Sequence, residues 1–571
     1  MSDRVSFVCN GEPVALEVEP GESLLSVLRE RIGLVSVKDG CAPQGQCGCC
    51  TVLVGDDPRV ACVTPVTRVE GRAVTTVEGL AAAERAALAE GFFATGGSQC
   101  GFCTPGIVMR AAGMIRKRRT NRAELGRALA AHLCRCTGWR TVYDAIDAAV
   151  TPPRPRARDL DVAARRAELE GGAAQRVNPD VPLGAGGFAD DGAPRGALVA
   201  VPLPPDSRAP AVDAAGLCWV VGESLLEART RAGKVQGRRT TAEVRPPLPL
   251  PPLPPGGVRL ATSWVEPAYL ELDASWCEPG GEPASSLANG GAFGGKECSP
   301  APAAARELAR RLGRPVRVVF SREDTVRLGP KRPPVAASAV FADGRAQIAG
   351  VVARGGCPAF TAIDWPYAIT VESSWAPVDL VGPPTASYLR AAGLAEQVAL
   401  LEAALDEADV DRGALAADER AASVLLDVAA RAPSGALAGA RVTVDPEAGT
   451  LAGIEVRVAA GEPLDAVVLR SYATGAAHMA LGWVCSEGLT VDAVTGEVQD
   501  LTIRSFGVIR AMDTPPVDVT VLDDSGPPLA RASDAVFAAV AAATWNALSR
   551  AEGARPETWP ARGTRAARAL R

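Results

Sequence analysis

The sequence predicts a multidomain α+β protein, and three observations predict it. The chain has 571 residues, room for about four domains of ordinary size. Two dense cysteine constellations sit in its first quarter. Beyond residue 150, short β-like runs alternate with alanine-rich helical stretches, broken by two proline-rich segments.

The first constellation is Cys41, Cys47, Cys50 and Cys62. Four thiolates are what a [2Fe–2S] cluster needs, two per iron. Gly40, Gly45 and Gly48 lie among these cysteines. Glycine permits the tight turns that bring backbone N–H groups to sulfur. Thr51–Val54 and Arg59–Val63 read as a hairpin that returns Cys62 to the other three. The plant-type spacing is C-x4-C-x2-C. Here five residues separate Cys41 from Cys47, so the loop carries one more. Cys49 is out of phase with the x2 gap between Cys47 and Cys50 and reads as a bystander.

The second constellation is Cys100, Cys103, Cys134 and Cys136, in a helical context. Thr104-Pro105 reads as an N-cap followed by proline at the first helical position. Ile107, Val108, Ala111, Met114 and Ile115 form a helical apolar stripe. Asn121 with Glu124 resembles a capping box for a second helix that ends near Cys134. Val142–Val150 reads as another helix. Zinc and disulfides are the alternatives for such cysteines. Two complete sets side by side favour clusters over zinc, and a path for single electrons over one structural metal. No apolar signal segment precedes Val5, so a reducing cytoplasm is the expected location and disulfides are disfavoured.

The net charge is −6, which gives a nucleic-acid role no electrostatic support. No apolar run approaches membrane-spanning length. Cys9, Cys49, Cys218, Cys277, Cys298, Cys357 and Cys485 show no metal spacing and read as small buried apolar side chains. His132 and His478, the only histidines, have no partner at metal-ligand spacing. Residues 151–159 (TPPRPRARD) read as a linker, and 245–257 (RPPLPLPPLPPGG) as a polyproline-like spacer. Val316–Phe320, Ile348–Val352 and Val467–Leu469 read as strands. Ala301–Leu312, Ala395–Asp409 and Ala535–Ser549 read as helices.

The stretches KDGCAPQGQCGCCTVLV, TTVEGL, QCGFCTPGIVM and LCRCTGW resemble the iron–sulfur part of the molybdenum hydroxylases, the xanthine dehydrogenase and aldehyde oxidoreductase family. The Gly-rich run Gly290–Glu297 (GGAFGGKE), with residues 307–333 after it, resembles the molybdenum-domain loop of the same family. Alone, such a loop before a helix is only a weak anion-binding signal. Residues 188–191, 196–201, 383–397 and 476–498 agree with the resemblance.

The resemblance implies a β-grasp, ferredoxin-like [2Fe–2S] domain over residues 1–80 and a four-helix [2Fe–2S] domain over 81–150. A linker over 151–175 and a shortened α+β molybdopterin-binding-type domain over 176–571 would follow. It implies two [2Fe–2S] clusters and molybdopterin as cofactors, with Gln99 and Cys136 beside the pterin. Gly291, Ala292, Phe293, Gly294, Gly295 and Arg390 would hold the cofactor. The GQG and Ser-rich segments that the family carries are missing between Val398 and Arg470. The only carboxylate in register with the family's catalytic Glu is Asp534, on a loop two residues shorter; the plain alternative is a helix N-cap.

The activity implied is that of a xanthine dehydrogenase-like oxidoreductase. It would hydroxylate an N-heterocycle or aldehyde and pass electrons through both clusters. The alternative is an electron-transfer subunit whose large domain is degenerate and serves for docking or assembly. No strand followed by GxGxxG marks a dinucleotide site. A separate FAD-binding subunit or a soluble acceptor is therefore expected, and a homo-oligomer stays open.

Overall fold

The computed structural model describes residues 3–570, apart from 42, 153–156, 235–236 and 289. The centre of the linker expected at 151–159 thus lies outside the described residues.

The first region is a five-stranded sheet in the order Glu12–Val18, Asp3–Cys9, Ala73–Thr75, Thr51–Val54, Asp57–Val60. Along Asp3–Cys9, Val5, Phe7 and Cys9 are buried while Arg4, Ser6 and Val8 are exposed, the period-2 signature of a half-buried strand. Ala73–Thr75 lies parallel to Asp3–Cys9, and Glu12–Val18 antiparallel on its other side. Leu24, Val27 and Leu28, from the helical segments Leu24–Ser26 and Val27–Ile32, share a core with Val52, Val54 and Val74. The arrangement is a β-grasp, and Cys50 and Cys62 are part of that core. The hairpin forms, but its second strand is Asp57–Val60 rather than Arg59–Val63, because Gly55 and Asp56 alone make the turn. Cys62 follows on the 3-10 turn Ala61–Val63.

The second region has four helices: Ala82–Thr95, Thr104–Arg116, Arg122–Leu129 and Arg140–Val150. Thr104 is the first helical residue, not the cap; Cys103 holds that position. The Thr104 hydroxyl instead meets Ser98 Oγ at 3.0 Å. Asn121 does cap its helix, with Oδ1 accepting the Glu124 N–H at 3.0 Å. That helix stops at Leu129, well before Cys134.

The third region contains two five-stranded sheets and one of four strands. One runs Ala274–Cys277, Val316–Val319, Leu198–Pro202, Leu217–Gly222, Val212–Ala214; another contains Val335–Ala342 and Arg345–Ala353. The helix Ala532–Glu552 touches the helices Leu394–Glu407 and Ala466–Cys485 and the strand Leu437–Val444. Ala535, Ala538, Ala539 and Ala542 on it are fully buried. Small side chains let helix and sheet backbones approach closely, which explains why so alanine-rich a chain has a core. Trp483, Trp545 and Trp559 add edge-to-face pairs at 4.6 and 5.4 Å.

Two sequence expectations fail here. Val467–Leu469 is not a strand but lies in the helix Ala466–Cys485, capped by Asp465, whose carboxylate accepts the Val468 N–H at 2.8 Å. A three-residue apolar run does not distinguish the two periods. The span assigned to the linker contains the helix Leu160–Gly171, capped by Asp159 and closed by left-handed Gly172. Its polar composition hid a face that packs Ala163 and Ala167 against Val468 and Tyr472.

Candidate functional site

Each cysteine set is gathered by its local fold. Cys41, Cys47, Cys50 and Cys62 are all buried. Cys41 contacts Cys47 and Cys62, and Cys62 contacts Cys50. Backbone N–H groups of Gln44 and Gln46 reach Cys41 Sγ at 3.3 and 3.5 Å, and Cys62 N–H reaches Cys50 Sγ at 3.4 Å. Hydrogen bonds from Cys47 and Cys62 hold the Cys41 thiol well below its ordinary value. In the second set the thiols pair two and two. Cys100 and Cys136 are 3.6 Å apart, and Cys103 contacts Cys134. The Cys134 thiol is lowered to about 6, chiefly by its bond to Cys103, with Thr137 Oγ1 at 3.0 Å adding to it.

Among the described residues no group of three or more His, Cys, Asp or Glu is disposed to hold a single metal ion. Thiols in contacting pairs, some with N–H donors on sulfur, fit a two-iron centre, where each iron takes two cysteines. Leu133 N–H donates to Cys47 O at 2.9 Å, so a neighbour of Cys134 touches a residue of the first set. Cys49 lies against Cys47, and the charges of Cys134 and Cys103 also act on it or feel it. It is thus a buried neighbour of both sets. Cys218 and Cys298 are exposed, against the expectation that the remaining cysteines are buried.

His132 and His478 are fully buried, and burial pushes both down to about 3. His132 Nε2 lies 3.1 Å from Thr51 Oγ1 and His478 Nε2 lies 3.2 Å from Ile509 O. Both are packed groups joining segments of the fold.

A cleft brings the second cysteine set to the Gly-rich loop. Its walls include Gln99, Cys100, Cys136, Gly290, Phe293, Gly294, Arg390 and Asp534. Gln99 Nε2 donates to Cys136 O at 2.7 Å and to Ser471 Oγ at 3.0 Å. The helix Ala466–Cys485 rests directly on this place. A Cβ on its Gly475 would stand 1.6 Å from Cys136 O, so only glycine fits.

From Gly290 to Gly294 every residue has positive φ, including Ala292 (54°) and Phe293 (60°). Non-glycine residues seldom hold such angles unless the surroundings fix them. The surroundings do: Arg390 N–H donates to Phe293 O at 3.1 Å, and the Arg390 guanidinium stacks 4.5 Å from the Phe293 ring centre. Gly291 and Ala292 are in this turn, and Gly295 follows it against Tyr269.

Asp534 is the third residue of Ala532–Glu552, not its cap; Arg531 occupies that position. Its Oδ1 is 3.9 Å from Arg390 Nε, a loose contact. Burial pushes its carboxyl up, with Arg390 opposing. The sequence reading missed Glu170, Gln175, Tyr388, Tyr472 and Arg531 in the same cleft. Glu170 accepts the Ser533 N–H at 2.9 Å and pairs with Arg166, both side chains fully buried. It thereby seats a carboxylate at a helix N-terminus, where the dipole favours it. Tyr388 and Arg531 had a signal, lying two and three residues before Arg390 and Asp534. Glu170 and Gln175 had none, being in the span assigned to the linker. No residue from 391 to 471 lines the cleft.

Two guanidinium groups, the Gln99 amide oxygen and a left-handed Gly-rich turn face one another here, and the turn packs so closely that a Cβ on Gly294 would stand 2.5 Å from Tyr388 O. These groups fit an anionic, hydrogen-bonding cofactor such as molybdopterin.

Three family models match the chain: a 2Fe-2S iron-sulfur cluster binding domain at residues 7–67, a [2Fe-2S] binding domain at 76–147, and a molybdopterin cofactor-binding domain at 285–352. The chain is 37% identical over 148 residues to the nicotinate dehydrogenase small FeS subunit of Eubacterium barkeri, covering 26% of this chain and 94% of that one. It is 38% identical over 151 residues to the xanthine dehydrogenase iron-sulfur-binding subunit of Escherichia coli O157:H7, covering 25% and 94%. The whole fold superposes on the aldehyde oxidoreductase from Desulfovibrio gigas, with a TM-score of 0.76, 16% identity and full coverage of both chains.

Proposed function

The chain belongs to the molybdenum hydroxylase family, and from that premise we propose that it hydroxylates an N-heterocycle or an aldehyde. It is an oxidoreductase of that type, with two [2Fe–2S]-binding domains and a molybdopterin-binding domain. One observation carries the substrate-side reading: Gln99, Cys136, the Gly290–Gly294 turn, Arg390 and Asp534 wall one cleft. Molybdopterin, when bound, supplies the two-electron oxidation.

The chain's own residues divide the remaining work. Gln99 ties the cofactor side of the cleft to the Cys136 backbone. Arg390 braces the left-handed turn through the Phe293 carbonyl and ring. Asp534 is the group that takes a proton: burial favours its protonated form, while Arg390, Arg531 and a backbone hydrogen bond from Ala391 oppose it. Cys41, Cys47, Cys50 and Cys62 would hold one cluster, and Cys100, Cys103, Cys134 and Cys136 the other. The domains would run 1–80, 81–150 and 176–571, with the helix Leu160–Gly171 belonging to the cleft although its sequence reads as linker.

Both first-named relatives are themselves iron–sulfur subunits. A separate FAD-binding subunit or a soluble acceptor, docking on the ferredoxin-like face, would take the electrons. Among the described residues no helix is long and apolar enough to cross a membrane, and a cytoplasmic location fits the many free thiols. A second reading rests on the GQG and Ser-rich segments missing between Val398 and Arg470: an electron-transfer subunit whose large domain serves for docking. Metal analysis with a panel of aldehydes and heterocycles tests both. Near one molybdenum per chain with turnover supports the hydroxylase; roughly four irons, no molybdenum and no turnover overturn it in favour of the carrier.

A further inference from the structure

A second cavity, of about 340 Å³, opens beside the first cysteine set. Small-molecule sites span roughly 300–1,000 Å³. Cys62 lies in its wall. Leu25, Phe102, Leu225, Leu226, Leu272 and Val319 supply the apolar part, and Leu226 is 44% exposed at the helix Leu225–Ala232.

The charges of the wall are already matched. Arg29 meets Asp190 and Asp191 at 2.8 and 3.0 Å; Arg317 meets Glu30 and Asp190 at 2.6 and 2.7 Å. Arg229 meets Asp39 at 3.3 Å, and Lys234 pairs with Asp324. Among the described wall residues no cation is left over for an anionic ligand. A phosphate-bearing ligand would have to break one of these half-buried pairs, which leaves a carboxylate uncompensated. Glu271, also in the wall, is buried and meets the buried Lys296 ammonium at 3.0 Å, so it too is matched.

We propose that this cavity seats a neutral quinone-class electron acceptor, held by the apolar wall next to Cys62. The proposal rests on the reading that electrons leave the protein from the Cys41 set. The quinone takes two electrons and two protons, and both of its C=O groups become C–OH. The electrons are those given up by the oxidised substrate, and both protons come from solvent. A thiol-lined edge, an apolar wall and balanced charge together suit that chemistry and do not suit a nucleotide.

The test is equilibrium binding of menadione, and separately of flavin mononucleotide, to the purified full chain, with iron measured on the same samples. Thr230 is exposed and lines the cavity, so Thr230→Trp fills it without disturbing the core. Leu226→Asp makes its lip polar. One menadione per chain is expected, bound at least tenfold more weakly by both variants, with unchanged thermal melting. Iron-loaded protein that fails to bind menadione, or binds it equally well as Thr230→Trp, overturns the cavity assignment and leaves the electron-exit reading intact. Preference for flavin mononucleotide, weakened by Thr230→Trp, overturns the neutral chemistry. A chain without iron overturns both the proposal and the reading beneath it.

Discussion

The first 150 residues and the cleft of the large region reach their chemistry by opposite routes. In the first, the functional groups are close in sequence. Cys47 and Cys50, or Cys100 and Cys103, are separated by one short turn, and a hairpin or the loop between two helices completes each set. In the second, Gln99, Glu170, Phe293, Arg390, Tyr472 and Asp534 come from six separate segments. Local motifs tolerate change elsewhere in the chain; an assembled cleft depends on every element that brings its walls together.

That difference predicts separable failures. The largest effect is expected from Cys50→Ser, which should remove one whole centre. Iron should fall from roughly four to roughly two per chain, with one of two paramagnetic signals lost on reduction. Retention of both signals would show that the extra loop residue has shifted ligation to Cys49.

Asp534→Asn should cut turnover by about 10²–10⁴ with iron and molybdenum unchanged. In the parent, the acid limb of the rate profile should lie above the ordinary carboxylate value near 4, because burial raises this carboxyl. The folded chain holds this proton more tightly than the unfolded one, so the group costs no stability below the unfolded carboxyl pKa. The cost grows as pH rises above the unfolded value and levels off above the folded one. Asp534→Asn should therefore lose activity without losing stability at neutral pH, as thermal melting at several pH values would show.

Glu170→Ala sharpens the contrast by attacking the assembly itself. It strands buried Arg166 and uncaps Ala532–Glu552. A loss of roughly 3–5 kcal/mol is expected, read by denaturant unfolding, while both iron signals persist in whatever remains folded. Gly294→Ala adds a Cβ clash with Tyr388 O to about 1–3 kcal/mol of left-handed strain, and should lower molybdenum content while sparing iron. If iron fell with molybdenum, the two regions would be less independent than their construction implies. The smallest effect is expected from Cys49→Ser: a buried neighbour of both sets that should leave iron content unchanged.

The legibility of the sequence follows the same division. The Asn121 cap and the helix Ala301–Leu312 were readable, because each depends on neighbours within one element. Misreadings fell where the local signal was ambiguous or foreign to the true context. Val467–Leu469 carries β-branched residues but continues into a buried helix. Residues 160–175 look like linker because their charged side chains, Arg166 and Glu170 among them, are satisfied by each other and by a distant helix start.

Sequence by itself determined the residue types and spacings: two four-thiol sets, the Gly-rich run at 290–295, and Arg390 and Asp534 as chemistry-bearing groups. Those depend on covalent neighbours and on the few conformations a short loop can adopt. Tertiary structure alone decided that Gly475 rests on the Cys136 carbonyl, that Glu170 seats the helix bearing Asp534, and that a neutral cavity opens beside Cys62. Each is a contact between segments far apart in the chain. Such contacts are fixed by how whole helices and sheets pack, and no local pattern records them.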